Sequence, residues 1–132
     1  FLSLSDGGAH CRLICDASTP TFLLTHWTRD RTNGPTLGIE EAVKLQTHDT
    51  AELYGLGDRG TLEVGKRGDV NIIDYEGLRL SPPEMVHDLP ADAPRLLQKA
   101  DGYRYTIVSG EITWLDGKPT GARPGVLVRG RR

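Results

Sequence analysis

"IEEAVKLQTHDTAELYGLGDRGTLEVGKRGDVNIIDY", residues 39 to 75, changes its hydrophobic period halfway along. The first half reads as helix. Ile39, Ala42 and Val43 recur at helical spacing as an inward face, with Glu40, Glu41 and Lys44 on the opposite side. A break is expected near Thr47, and "DTAELYG" then supplies a further short capped turn or two ending at Gly55. After Gly57 the texture becomes that of strands. Residues 61–64 and 69–75 read as two short strands joined by a Gly-Lys-Arg-Gly turn. The order of elements is therefore helices first and strands afterwards, which divides the chain into 1–57 and 58–132.

Upstream, residues 1–5 read as a short buried strand, stopped at Asp6-Gly7-Gly8. Ser18 or Thr19 then offers an N-cap with Pro20 in the first helical turn, a strong start signal. Leu23, Leu24 and Trp27 form the apolar face of that helix, and "TNGP" (32–35) is a loop. Downstream, residues 76–102 are Pro-rich and read as irregular, with at most a brief strand around Met85 to Asp88. "YRYTIVSGEITWLDG" (103–117) is the strongest hairpin signal, two alternating runs around Ser109-Gly110. The tail is rich in turn residues, and its last few positions are expected to be poorly ordered. A single strand at 1–5 cannot satisfy its backbone groups alone. With Phe1 at the first position, the expectation is a piece of something larger.

The chain of 132 residues is 37% apolar and 26% charged, with a net charge of −2 and both signs interspersed. Nothing in that pattern forms a basic face for nucleic acid or a polybasic membrane patch. No apolar run reaches the ~18 residues of a membrane span, so a cytoplasmic location is expected. Cys11 and Cys15 are spaced C-x3-C, which suits neither a redox pair nor a zinc ribbon, and they read as small half-buried hydrophobes. His26, His48 and His87 have no i, i+4 histidine partner and read as ordinary polar side chains. The glycines of "GLGDRG" do not fit a nucleotide-binding loop.

Asp6 has two readings. Asp-Gly-Gly is a common turn, in which the carboxylate accepts local backbone N–H groups. Alternatively, Asp6 ends a strand of a (β/α)8 barrel, at the edge where catalytic groups sit and the following loop carries specificity. His10 shares that loop. Arg12, two residues on, either pairs bidentately with a substrate carboxylate or bonds local carbonyls.

Taken together, "SDGGAH", "CDASTPTFLLTHWTRDR", the stretch 39–75 and "VSGEITWLDGKPTGARPGVLVRG" resemble the C-terminal part of the amidohydrolase superfamily. "SDGGAH" and "HDLPADAPRL" (87–96) turn the resemblance towards the N-acyl-D-amino-acid deacylases, or D-aminoacylases. The resemblance implies an α/β fold: a C-terminal fragment of the (β/α)8 barrel, with its last strand and helices in 1–57. The C-terminal strands of a small β-sandwich would lie in 58–132. A full barrel takes about 250 residues. Asp6 matches the strand-eight aspartate that acts as general base and acid beside the metal. His10 and Arg12 fall where related enzymes contact substrate. Zinc is implied for the intact enzyme and none for this fragment, whose chain lacks counterparts of the metal ligands on earlier strands.

The implied reaction is hydrolysis of the amide of an N-acyl-D-amino acid to a carboxylate and a free D-amino acid. The isolated fragment is expected to be inactive. A cyclic-amide hydrolase of the dihydropyrimidinase or hydantoinase type is the alternative within the superfamily. A non-catalytic β-rich interaction module is the alternative outside it. The expected partners are the missing N-terminal part of the same enzyme, a small N-acylated amino-acid substrate and a second copy of the chain, with no nucleic acid and no membrane.

Overall fold

The computed structural model describes residues 10, 12–13 and 16–129, and the expectations for residues 1–5, Asp6, Cys11, Cys15 and the last three positions lie outside them. A 3-10 turn, Asp16–Ser18, leads into α1 (Thr19–Thr25), with Ser18 at the N-cap and proline in the first turn as the sequence predicts. α1 then widens into one π-helical turn, His26–Asp30. The hydroxyls of Thr25 and Thr28 bond back to the carbonyls of Thr21 (3.1 Å) and Leu24 (2.5 Å). Such back-bonding competes with the regular amide ladder and bends or loosens a helix. The Arg31 amide closes the wide turn on the His26 carbonyl at 2.9 Å.

α2 (Ile39–Gln46) and α3 (His48–Leu53) are separated at Thr47, whose φ of −118° and ψ of −82° interrupt the helix at the expected place. Ala42 is fully buried, but Val43 is 44% exposed rather than inward. The covered part of the helix is thus a stripe at Ala42, with Val43 beside it left half in water.

Among the described residues eight strands follow: β1 (Val70–Ile73), β2 (Arg79–Leu80), β3 (Glu84–Leu89), β4 (Ala93–Leu97), β5 (Ala100–Asp101), β6 (Tyr103–Val108), β7 (Glu111–Leu115) and β8 (Lys118–Pro119). All pairings are antiparallel. β1-β6-β7-β8 form one sheet, and β2-β5 and β3-β4 form two separate ribbons. The β6–β7 turn is where the sequence puts it, with Ser109 (φ 53°) and Gly110 (φ 82°) both left-handed. That conformation matches the right-handed twist of a tight hairpin.

Two stretches differ from the sequence expectation. Residues 61–64 are not a strand; Leu62 is 82% exposed and Val64 fully so, with no strand beside them among the described residues. A strand needs a neighbour to hold its backbone, and β-character alone does not supply one. Conversely, 76–102 holds four strands instead of one. Its prolines sit before β3, in the β3–β4 turn and within β4. A two-stranded ribbon consists of edges, where proline is tolerated.

The core lies between the helices and the sheet. Leu24, Ala42 and Leu78 are buried together, with Leu23, Ile39, Ile73 and Tyr103 packed around them. Gly102 makes the packing possible. Its φ is +104°, and an added Cβ would stand 2.7 Å from the Leu78 Cα. Around this small core runs a polar seam. Thr21 meets the Tyr103 hydroxyl at 2.8 Å, Thr28 meets that of Tyr75 at 2.6 Å, and the Gln46 amide donates to the Pro20 carbonyl at 2.7 Å. Ser18 makes no capping side-chain bond to the start of α1, and its hydroxyl reaches Gln98.

On the other side of the four-stranded sheet the register aligns Ile72, Tyr105 and Leu115 in one row and Val70, Ile107 and Ile112 in the next. Directly opposed residues share a face. Ile72, Tyr105, Ile112 and Leu115 are 47%, 37%, 41% and 42% exposed. No helix among the described residues is long and apolar enough to cross a membrane.

Candidate functional site

Asp6, the predicted base and metal neighbour, lies outside the described residues. His10 and Arg12 are described, and both are exposed. His10 has a φ of 55° and its carbonyl accepts the Leu13 amide at 2.8 Å, a tight turn upstream of the 3-10 turn that leads into α1. The two side chains therefore sit on one turn, ahead of the helix that the β-unit anchors.

That anchoring rests on Arg29, in the π-helical turn that follows α1. Its guanidinium stacks on the Tyr75 ring, 5.4 Å from the centroid, and donates to the carbonyls of Tyr75, Glu76 (3.4 Å) and Leu78 (2.8 Å). Asp30 accepts from Nε and Nη2 at 2.7 and 3.1 Å. The Asp30 hydrogen bonds raise the Arg29 pKa above its ordinary value, and the same bonds hold the Asp30 carboxyl below the usual carboxylate range. A planar fork that satisfies several carbonyls at once is arginine chemistry, which lysine does not reproduce.

Outside this joint, His48, Asp49 and Glu52 bring ligand atoms within 4.8 Å of one another at the start of α3. The His48–Glu52 spacing of i, i+4 was visible in sequence, but only histidine pairs with that spacing single themselves out as zinc-like. Asp49 is already occupied. His48 Nδ1 lies 2.9 Å and the Lys44 ammonium 2.5 Å from its Oδ1, and these hydrogen bonds, His48 first, hold its carboxyl low. These three could gather round a cation, but the Asp49 Oδ1 is already shared by His48 and Lys44.

The remaining histidines follow the ordinary reading. His26 stacks on Phe22 with centroids 4.8 Å apart, and His87 Nδ1 lies 3.0 Å from the Asp92 carbonyl oxygen. A shallow cleft of about 340 Å³ is lined by Asp74, Arg79, Asp101, Tyr103, Arg104 and Asp116 among others. Its charges pair with one another, Arg79 with Asp101 at 3.1 Å and Arg104 with Asp74 at 2.8 Å and Asp116 at 3.4 Å.

A sequence profile of the amidohydrolase family matches residues 1–114. The chain belongs to the amidohydrolase family. The match takes in residues 6–12, the helices and the sheet as far as β7, and so spans both parts of the chain. An uncharacterized protein of Mycobacterium bovis and uncharacterized proteins of two Mycobacterium tuberculosis strains are similar to this amidohydrolase chain. Each is 39% identical over 74 residues, which is 55% of this chain and 12% of the relative. The aligned stretch thus spans about an eighth of the curated relatives' length. No solved structure matches the chain.

Proposed function

We propose that this chain is the C-terminal part of a metal-dependent hydrolase that cleaves the amide of N-acyl-D-amino acids, releasing a carboxylate and a free D-amino acid. The observation that carries the reading is the family match from residue 1 to 114, which includes the "SDGGAH" stretch. The deacylase branch rests on that stretch and on "HDLPADAPRL", which runs from the end of β3 through the turn into β4. Zinc is the metal we assign to the whole enzyme, where it would supply an activated water at neutral pH.

This chain's own contribution is a proton carrier. Asp6 accepts a proton from the attacking water and returns it to the departing nitrogen, so that one carboxylate serves both steps. Arg12 pairs with the substrate carboxylate, and His10, on the same turn, contacts the substrate beside it. A catalytic zinc site takes three protein ligands. Asp6 and the occupied α3 cluster do not make such a set, so the preceding part of the polypeptide must bring the others. The same part is the proposed cover for the apolar face of the four-stranded sheet, and the whole enzyme is proposed to work in the cytoplasm.

In the full-length protein, Asp6→Asn is expected to lower kcat by about 10²–10⁴-fold while metal content is retained. A variant that keeps more than about a tenth of kcat removes Asp6 as the base. Assaying N-acetyl-D- and N-acetyl-L-amino acids beside hydantoin and dihydropyrimidine decides the substrate class. Turnover of the cyclic amides alone replaces the deacylase reading with the dihydropyrimidinase one. The 132-residue chain by itself is expected to show no turnover with added zinc. Metal-dependent activity of that chain would overturn the division of labour.

A further inference from the structure

We draw no further inference here: the strongest candidate, the His48, Asp49 and Glu52 side-chain cluster at the start of α3, is a surface group whose Asp49 is already held by Lys44, and no second observation in the structure points to a cation there.

Discussion

The two sides of the four-stranded sheet are built on different terms. On the inner side, contacts join residues 46 to 82 positions apart, and polar groups meet partners: Thr21 with Tyr103, Thr28 with Tyr75, Arg29 with three carbonyls. On the outer side, six apolar side chains lie in register and four of them keep more than a third of their surface in water. The inner side is a finished joint. The outer side has the composition of a core and the exposure of a surface. Exposed apolar patches of several hundred Å² on soluble proteins mark interaction sites, whereas scattered single residues mark nothing. The difference teaches that the helical part and the β-unit are joined by a shared core, and that the exposed apolar surface of the sheet is concentrated on one face.

The comparison breaks first at Leu78. It is fully buried between α1, α2 and β6, and Leu→Ala at such a site costs about 2–5 kcal/mol, including the cavity left behind. Urea unfolding of Leu78→Ala is expected to show that loss in a single transition. Two transitions, with the β-unit unfolding at its original midpoint, would show that helices and sheet are not one body.

Arg29→Met comes next. The substitution keeps much of the apolar stem but removes the donors to the Glu76 and Leu78 carbonyls and strands Asp30 without its partner. Hydrogen bonds to charged groups are worth about 1.5–3 kcal/mol, and we expect a loss in that range. Arg29→Lys should recover less than half, because a point charge cannot span the same acceptors. Full recovery by lysine would mean that charge alone matters at this joint.

Ile112→Thr tests the outer face. In the 132-residue chain it should change stability by no more than about 0.5 kcal/mol, as surface substitutions do. In the full-length protein the same change should cost about 1–2 kcal/mol if the face is covered there, since a buried side chain of this size contributes roughly 1.5–3 kcal/mol. Equal effects in both would leave the face a true surface.

How much of this could be read in the sequence depended on the range of the forces involved. The α2–α3 break at Thr47 and the Ser109-Gly110 turn were legible because local backbone chemistry dictates them. β3 was legible as a brief strand around Met85 to Asp88, but its partner β4 was hidden by Pro90 and Pro94, since prolines count against strands until edge placement is known. Residues 61–64 misled in the opposite direction, since their β-character needs a neighbour that the described residues lack. Arg29 was invisible for a similar reason, as its carbonyl partners lie 46 to 49 positions away. Of the candidate site, the resemblance named Asp6, His10 and Arg12, and the structure places only His10 and Arg12, on one exposed turn.

The smallest expected effect lies on the boundary between the two sides. Asp74 follows β1 and opens the turn that carries the acceptors of Arg29. Its Oδ1 accepts the Gly77 amide at 3.1 Å and its Oδ2 accepts Arg104 of β6 at 2.8 Å. The Gly77 amide, and then Arg104, hold this carboxyl below the usual carboxylate range. Because the folded pKa is depressed, the stability it contributes is complete above the unfolded value of about 3.9 and is lost as pH falls through the folded one. Asp74→Asn keeps an oxygen for the Gly77 amide and loses the ion pair. The wild type should therefore unfold at a higher urea midpoint than Asp74→Asn at pH 7, and the gap should close as the solution is acidified below the carboxylate range. The pair is solvent-exposed, so the gap at pH 7 should also shrink in 1 M salt. A gap of the same size at every pH would show that Asp74 acts through the shape of its turn, and that its charge does not tie the inner joint to the sheet.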